Sequence, residues 1–404
     1  MIIKDILKFF LGLIKKFMFW RVQNIKIKKL QKKIHIIRTD TIGDFVLFSA
    51  VLPYFKKLYP EHKIILVAED VWQELARWLK EYRILGDGQS NYFDELIAIN
   101  GKFYNRNPFY YYKILKRLKL SSPEIVINPI FSRTLKSDEL VFISKGAKKI
   151  GYDGDLFSTK ERKKKINDKK YNRLIGNPNS NLEIDRNKHF LNEIAGYELV
   201  SSGLPKWKLN EELLSQGRSF LKSFGIDLSR PILMIFPGSS LSIKRWPINK
   251  FVSLILKLFQ YNSSLQFVLI GGIRDKKKCF QIAEDEKIKN LPIYNLCGKT
   301  KLSELAKILA VADLYIGNDT GAMHMAAAVG TSAIGLIWGA HIKRFFPYSA
   351  WKKGAKNIAI IHKMDCFGCD GKCKYGFRKE EPVPCIKNIR ASDVYNQVID
   401  LWRK

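Results

Sequence analysis

Acidic residues, histidine and long apolar runs are scarce in this sequence. Its 404 residues include 38 Asp and Glu against 70 Lys and Arg, with six His and a formal net charge of +32. The longest uncharged run near the amino terminus covers residues 9–14, far fewer than the roughly 20 apolar residues that span a bilayer. No stretch repeats at a fixed period or resembles a cleavable secretory signal. A repeat solenoid is therefore excluded, and we expect a cytoplasmic protein in a reducing compartment.

The excess of positive charge predicts a polyanionic partner, which is nucleic acid, an anionic membrane or a phosphorylated ligand. A Lys-rich codon bias is the alternative source of part of this charge. Nucleic-acid binding predicts basic residues interleaved with stacking aromatics, whereas here the charge is concentrated near the amino terminus and in one insert. We expect no nucleic-acid partner, and a basic nucleic-acid-binding protein with a metal site of four cysteines is the alternative of another class.

Residues 1–33 form a basic amphipathic segment. Apolar side chains cover most of the predicted helix, and a basic tail follows it. We expect this segment to lie in the interface of the inner membrane, on an anionic leaflet. The alternative is a helix docked on the body of the protein or on a second subunit. The narrow polar face of the helix holds Lys4, Asp5, Lys8, Gly12, Lys15 and Lys16.

Strands alternate with helices along the rest of the chain, which predicts an α/β fold with parallel, doubly wound sheets. A run of basic residues at 160–173 predicts a solvated loop, or alternatively a mobile element over the active site that handles an anionic acceptor. The predicted domains are a first α/β domain at 34–205 with a basic insert at 151–203, a linker at 206–230, a second α/β domain at 231–390 and a carboxyl-terminal helix at 391–404.

Three loops of the second domain follow strands and carry polar chemistry. The first, FPGSSLSIKRWP, supplies hydroxyls at Ser239 and Ser240 and a cation at Lys244, which suit a diphosphate. The second, VLIGGIRD, ends in Asp275, a carboxylate placed to accept ribose hydroxyls. The third, GNDTGAMH, contains the start of a predicted helix, and phosphate binds well at such a position. An ordinary connection from a strand to a helix would have a similar sequence. Its candidate residues are Asp319, Thr320, Gly321 and His324.

The first domain offers two aspartates in the stretch RTDTIGD. Asp44 follows Gly43 at a helix start and could take a proton from a sugar hydroxyl. Asp40 is the competing candidate. A helix-capping role is equally natural for either carboxylate.

Four of the six cysteines are clustered, with the spacing C-x2-C-x3-C-x11-C. Thiols this close suit a tetrahedral structural metal, zinc or iron. The C-x2-C spacing also arises by chance, so a cluster without metal is the alternative. The candidate ligands are Cys366, Cys369, Cys373 and Cys385.

Taken together, the motifs RTDTIGD, PGSS with KRWP, IGG followed by D, and GNDTGAMHMAAAVGT resemble family 9 of the glycosyltransferases, the ADP-heptose:lipopolysaccharide heptosyltransferases. The resemblance covers about residues 34–400. It implies a GT-B architecture, with two Rossmann-like domains facing a cleft, the sugar nucleotide in the second domain and the acceptor in the first. It also implies transfer with inversion and no obligatory catalytic cofactor.

The resemblance assigns roles residue by residue. Asp44 takes the place of the general base, Lys244 that of the phosphate-neutralising lysine, and Asp275 that of the carboxylate on the ribose. The nucleotide-sugar contacts fall on Ser239, Ser240, Asp319, Thr320, Gly321 and His324. Two departures are Ala322, where Pro is common, and the insert at 151–203, which matches no motif.

The expected function is transfer of a heptose or similar sugar from a nucleotide sugar, ADP-heptose, to a lipopolysaccharide core or other lipid-linked glycan. Transfer of a different sugar, or glycosylation of a protein, is the alternative within the same fold. A lectin-like or scaffolding role without catalysis is disfavoured by the presence of both Asp44 and Lys244.

Overall fold

A computed structural model describes residues 2–85, 92–348, 356–376 and 381–403. The chain divides into two compact units. The first comprises Met1–Ser180 with Asp185–Gly203, and the second comprises Asn181–Ile184 with Leu204–Lys404. Each unit contains a six-stranded sheet whose pairings are parallel, so the predicted α/β fold is confirmed.

The first unit is built on the sheet β3-β2-β1-β4-β5-β6. Its central strand, β1, is buried from Ile34 to Arg38, as expected for a parallel strand covered by helices on both faces. The strands are β1 (Gln31–Arg38), β2 (Lys63–Glu69), β3 (Glu95–Ile99), β4 (Pro123–Asn128), β5 (Lys148–Tyr152) and β6 (Arg173–Ile175). The helices, of which the last crosses the boundary between units, are α1 (Ile2–Gln23), α2 (Ile42–Phe48), α3 (Leu52–Leu58), α4 (Gln73–Glu81), α5 (Gly101–Arg106), α6 (Pro108–Leu120), α7 (Leu135–Phe142), α8 (Glu161–Asp168) and α9 (Glu183–Ala195).

The second unit repeats this arrangement with the order β12-β11-β10-β7-β8-β9. Its strands are β7 (Ile232–Phe236), β8 (Gln266–Leu269), β9 (Ile293–Asn295), β10 (Leu314–Asn318), β11 (Ser332–Leu336) and β12 (Asn357–Ile360). Its helices are α10 (Glu211–Lys222), α11 (Ile248–Tyr261), α12 (Lys276–Ala283), α13 (Leu302–Ala310), α14 (Gly321–Val329), α15 (Pro384–Lys387) and α16 (Ala391–Trp402). The strand order places the carboxyl ends of β7, β8 and β10 side by side, because β7 pairs with both of the others.

The basic run at 160–173 is not the loop that its composition predicts, because α8 forms within it. The insert at 151–203 contains β6, α8 and α9. The prediction of a loop is wrong, and ion pairs satisfy part of the charge: Lys164 pairs with Asp153 in the preceding segment and with Asp168 on the same helix, at 2.9 Å from the latter. No residue of α8 is buried, so the helix itself still faces solvent.

Residues 206–230, the predicted linker, include the helix α10. This helix packs on α13, where Gly217 lies against the backbone carbonyl of Lys307 and leaves no room for a larger residue. The predicted carboxyl-terminal helix forms as α16.

The predicted amino-terminal helix forms as α1 and packs on α6. Val22 is fully buried there, and Met18 and Phe19 pack against the same core cluster. Among the residues that the structure describes, no helix is both long enough and apolar enough to cross a membrane.

Candidate functional site

One buried amide organises the loops at the carboxyl end of the second sheet. Asn318, the last residue of β10, is fully buried. Its Nδ2 donates to the backbone oxygens of Pro237 and Gly238, at 2.9 and 3.0 Å, and its Oδ1 accepts from the backbone N–H of Trp246 at 3.0 Å. A single side chain thereby fixes both ends of the loop that follows β7. No sequence motif marks this residue, because its partners are backbone atoms 72 to 81 positions away.

Lys244 and Asp319, both predicted site residues, meet directly in the structure. The Nζ of Lys244 lies 3.2 Å from Oδ2 of Asp319 and 4.8 Å from the ring centre of Trp338. Both charged side chains are largely buried, with 16% and 10% of their surfaces exposed. An ion pair and a cation–π contact therefore hold the ammonium group in place, in surroundings where charge interactions are stronger than in water.

The two predicted serines differ in environment. Ser239 is buried and Ser240 is exposed. Arg245 holds the backbone of the loop, since its Nε and Nη2 donate to the carbonyl oxygen of Ser239 at 3.0 and 2.8 Å. Arg245 stands next to Lys244 in sequence, yet its role was not apparent there because its partner is again a carbonyl group.

The structure brings Asp275 against the same loop. Its Oδ2 accepts the backbone N–H of Gly272 at 3.1 Å. A Cβ at Gly238 would lie only 2.3 Å from the Asp275 carboxyl group, so only glycine fits at that position. Burial raises the pKa of Asp275, while the Gly272 N–H and the charge of Arg245 act in the opposite direction.

Thr320 and Gly321 begin α14 as predicted, with Thr320 at the N-cap position. The helix has nine residues, and from Ala322 to Val329 all are buried. Its first N–H groups have no partner within the helix, as at any helix start, and lie next to the position of Asp319.

His324 is turned into the unit and is only 3% exposed. Its Nδ1 lies 3.3 Å from the hydroxyl oxygen of Tyr348, and the two rings are nearly parallel at 6.0 Å. Burial raises the pKa of Tyr348. Tyr348 lies in a stretch without a motif, so no sequence pattern marks it as the partner of His324.

In the first unit, Asp44 forms a capping box at the start of α2. Its Oδ2 accepts the backbone N–H and the hydroxyl of Thr41, at 3.1 and 2.6 Å. Its Oδ1 accepts no hydrogen bond from the described residues. The capping role and the proposed base role are therefore compatible, because one oxygen is held and the other is left for a ligand.

The competing aspartate, Asp40, is engaged elsewhere. Its Oδ2 lies 3.0 Å from Nε of Arg38, which is fully buried. Arg38 also donates through Nη2 to the backbone oxygen of Asp44 at 3.1 Å and lies over the ring of Phe48. Asp40 thus neutralises a buried guanidinium group, which leaves Asp44 as the carboxylate without a cationic partner among the described residues.

The four clustered thiols line one small cavity, together with Trp338 and Gly339. None of the four is in a disulfide. Across the described ranges, no three His, Cys, Asp or Glu side chains stand in an arrangement that could hold a metal ion. Burial raises the pKa of Cys385; the neighbouring Cys366, Cys369 and Cys373 raise it further, and a backbone contact with Gly339 opposes this.

Comparison with known proteins gives a consistent family match. Residues 111–375, more than half of the chain, match the sequence profile described as "Glycosyltransferase family 9 (heptosyltransferase)". The lipopolysaccharide core heptosyltransferase OpsX of Haemophilus influenzae is 25% identical over 318 residues, which cover 79% of this chain and 82% of that protein. Lipooligosaccharide heptosyltransferase 2 of Campylobacter jejuni is 29% identical over 177 residues, which cover 43% of this chain and 52% of that protein. The match spans about half the length of this Campylobacter relative.

Solved structures share the fold. A glycosyl transferase family 9 protein from Veillonella parvula superposes with a TM-score of 0.70 at 17% identity, covering 93% of this chain and 99% of that one. The ADP-heptose lipopolysaccharide heptosyltransferase II of E. coli gives 0.64 at 19% identity, covering 91% and 98%. The E. coli heptosyltransferase WaaC, solved with ADP-2-deoxy-2-fluoro heptose, gives 0.61 at 16% identity, covering 91% and 99%.

Proposed function

Because the chain belongs to glycosyltransferase family 9, the heptosyltransferases, we propose that it is an inverting transferase that moves a heptose from ADP-heptose to a lipopolysaccharide core or related glycan. The observation that carries the proposal is the Lys244–Asp319 pair at the start of α14, with Asp275 against the neighbouring loop. These groups stand at the carboxyl ends of adjacent parallel strands, where ligands of such sheets bind. The similarity to a heptosyltransferase solved with an ADP-heptose analogue supports the choice of donor.

The second unit binds the donor in this proposal. The diphosphate lies between Lys244 and the first N–H groups of α14, and the hydroxyls of Ser239 and Ser240 donate to its oxygens. Lys244 turns from Asp319 towards the diphosphate, which is the stronger anion. Asp275 accepts hydrogen bonds from the ribose hydroxyls. No metal ion is needed, because a cation and a helix start already oppose the phosphate charge.

The first unit presents the acceptor. Asp44 takes the proton of the attacking hydroxyl on Oδ1 while Thr41 holds Oδ2. The hydroxyl oxygen forms a bond to C1 of the sugar as the bond from C1 to the diphosphate oxygen breaks, and the bonding pair leaves with ADP. Attack from the face opposite the leaving group inverts the anomeric centre. Lys244 and the helix start favour the charge that grows on the leaving oxygen, so they act most strongly in the transition state.

A donor screen tests this proposal. Purified protein is incubated with ADP-heptose, other ADP-sugars, UDP-sugars and GDP-sugars, each with deep-rough lipopolysaccharide, and release of the nucleoside diphosphate is measured. We expect acceptor-dependent release from ADP-heptose above all other donors. Faster release from another sugar nucleotide would replace the donor, and absence of release from every donor would overturn the transferase assignment.

We also propose that α1 attaches the protein peripherally to the cytoplasmic face of the inner membrane. The side of α1 that packs on α6 includes Lys15, whose Nζ lies 4.3 Å from the ring centre of Tyr111. The opposite side of the helix is apolar and faces solvent, with Phe9 64% and Trp20 60% exposed. A helix that turns its apolar side outwards, followed by a basic tail, suits an anionic membrane surface. The exposed apolar residues are Ile6, Phe9, Phe10, Leu13, Ile14, Phe17 and Trp20.

Sedimentation with anionic vesicles tests the attachment. A variant with Phe9→Ser, Phe17→Ser and Trp20→Ser removes exposed apolar side chains and keeps the buried contacts of α1, unlike deletion of residues 1–33. We expect this variant to move from the vesicle pellet to the supernatant. A control with Tyr261→Ser and Phe280→Ser, both exposed in the second unit, should still pellet. Unchanged pelleting of the triple variant would contradict the attachment.

The four thiols at the small cavity support a further proposal, a structural zinc or iron site. Four cysteines around one point are a suitable donor set for either metal, provided that the thiols draw closer than they stand in this structure. Trp338 lines the cavity and its ring also contacts Lys244, so a metal bound in the cavity would restrict the movement of the ring on which Lys244 lies. Elemental analysis of anaerobically purified protein should find about one metal per chain. A metal content near zero with full stability would exclude the site.

A further inference from the structure

A second basic cavity lies in the first unit, at the edge of the sheet opposite to Asp44. It has a volume of about 400 Å³ and lies where β1, β4 and β5 begin. Asp44 follows the other end of β1, and eight residues of strand separate the two edges by roughly 25 Å. This cavity therefore does not belong to the site described above. It is lined by Ile27, Lys28, Lys29, Leu30, Lys119, Ser122, Pro123, Ser144, Lys145 and Gly146.

The lining is strongly and uniformly cationic. It contains four lysines and no carboxylate. Lys28, Lys29 and Lys145 are exposed, while Lys119 is only 6% exposed. None of the four forms an ion pair within the described part of the chain. Partial burial of the Lys119 side chain without a counter-ion raises the cost of its charge, and this cost falls when an anion binds.

A buried hydroxyl group in the lining also lacks a partner. Ser144 is 4% exposed, and its Oγ makes no hydrogen bond in the described structure. Beneath the cavity, Lys149 donates to the carbonyl oxygens of Ala147 and Lys145, at 2.8 and 3.3 Å. A hydroxyl donor beside several ammonium groups is the set that holds a phosphate group.

The electrostatics of the lysines agree with an anion site. Burial first, and then the charge of Lys145, lower the pKa of Lys119. Burial and the charge of Lys119 lower the pKa of Lys149 in the same way. Lys119 lies in the last turn of α6, where the helix carbonyl groups offset part of its charge. The remaining positive charges of these lysines repel one another, and a bound anion would neutralise them.

The position of the cavity indicates that its ligand is carried by a lipid. Residues 24–30 join the end of α1 directly to the cavity. At that end, Nε2 of Gln23 donates to the backbone oxygen of Phe142 at 3.1 Å, two residues before Ser144. The carboxyl end of α1 and the cavity are thus neighbours in the same unit.

We propose that this cavity binds the phosphomonoester group of an anionic membrane lipid, through Lys28, Lys29, Lys119, Lys145 and Ser144. The inference rests on the proposed attachment of α1 to a membrane and adds to it a chemical preference. A phosphomonoester carries a charge of about −1.5 to −2, which four lysines match better than the single charge of a phosphodiester headgroup. The cavity thereby gives the protein a preference for one class of membrane lipid, and it does so at the edge of the sheet opposite to Asp44.

Flotation of the full chain with vesicles tests the proposal. The vesicles contain phosphatidylcholine with either phosphatidic acid, a phosphomonoester, or phosphatidylglycerol, a phosphodiester, at equal surface charge. We expect binding to phosphatidic acid to be at least about tenfold tighter, as two or more added lysine contacts imply. The variant Lys119→Gln with Lys145→Gln should lose this preference and still bind through α1. A control with Lys113→Gln and Lys116→Gln, both exposed on α6 outside the cavity, removes the same charge and should keep the preference.

The outcomes separate the two proposals. If the protein binds no vesicle, the attachment by α1 fails and this inference fails with it. If it binds both vesicles equally, or if the Lys119 and Lys145 variant keeps the preference, the attachment stands and the cavity site is overturned. If glycerol 3-phosphate without vesicles binds as tightly as phosphatidic acid in vesicles, the membrane adds nothing to binding, and the ligand is a soluble phosphate ester and not a lipid. The double variant should be at least as stable to urea as the wild type, because it removes mutually repelling charges, and its ADP release with detergent-dispersed acceptor should be unchanged; both results would show that it is folded.

Discussion

Replacement of Asp44 by Asn should separate the chemistry of this carboxylate from its structural role. The Asn side-chain oxygen can still accept the hydrogen bonds that Thr41 donates to Oδ2, so the capping box survives in part. The loss of a negative charge in the first turn of α2 costs about 0.3–1 kcal/mol of stability. Removal of a general base lowers turnover by roughly 10²–10⁴-fold. We therefore expect a folded protein that binds ADP normally and has almost no turnover.

Asp40→Asn is the matched comparison, because it removes the rival carboxylate from the same loop. Its loss leaves the buried guanidinium group of Arg38 without its charged partner at 3.0 Å. Breaking a buried ion pair costs roughly 3–5 kcal/mol, and 17% exposure of the Asp40 side chain places this case near the lower end. We expect a clear loss of stability and near-normal turnover per folded molecule.

The assay combines three measurements on the wild type and both variants. Initial rates of ADP release at saturating donor and acceptor report turnover, urea unfolding reports stability, and calorimetry with ADP reports the donor site. Near-normal turnover of Asp44→Asn would refute the assignment of the base. A large loss of turnover in Asp40→Asn, with stability unchanged, would transfer the role to that residue.

Three further changes follow from the structure. Lys244→Ala should lower kcat by roughly 10²–10³-fold in single-turnover measurements, because it removes the cation facing the leaving diphosphate; a loss below tenfold would contradict that role. Asp275→Asn should weaken ADP binding about tenfold or more. Burial raises the pKa of Asp275, so its carboxyl group holds a proton more tightly in the native state than in the unfolded state. The stability of the wild type therefore falls as pH rises through that pKa. In urea unfolding, the stability of Asp275→Asn relative to the wild type should be greater at pH 7 than at pH 4. Burial lowers the pKa of His35 to about 3, so the native state binds a proton there less readily than the unfolded state. As pH falls from about 6.5 to 3, the wild type should therefore lose up to ~1.4 kcal/mol of stability per pH unit relative to His35→Gln. A stability difference independent of pH would refute this.

Much of the site could be predicted from sequence because its residues follow strands. In parallel sheets the strand ends share one edge, so polar residues after β7, β8 and β10 were expected to converge. Lys244 and Asp319 do so although 75 positions separate them. That they form an ion pair could not be predicted, since it depends on the pairing of β7 with β10.

The residues that the sequence did not reveal share a physical feature. Asn318 and Arg245 bind backbone carbonyl groups, which every residue has, so no pattern of side chains marks the partner. Tyr348 contacts His324 from a stretch without a motif. Such positioning residues depend on three-dimensional proximity, and only the folded chain identifies them.

The prediction for the insert failed for a different reason. A run of basic residues predicts a solvated loop because composition does not show which carboxylates pair with the lysines. In the structure, Asp153 and Asp168 approach Lys164, and a short strand and helix form around them. The segment predicted as a linker, 206–230, contains α10, which belongs to the second unit and packs on α13.

Analysis of the acceptor after reaction tests the central claim most directly. Purified protein, ADP-heptose and a heptose-deficient lipopolysaccharide acceptor are incubated, and the acceptor is examined by mass spectrometry and by NMR of the new anomeric proton. We expect a mass increase of one heptosyl residue, an inverted anomeric configuration and an equal amount of released ADP. Release of ADP without modification of any acceptor, or retention of the donor configuration in the product, would contradict the account.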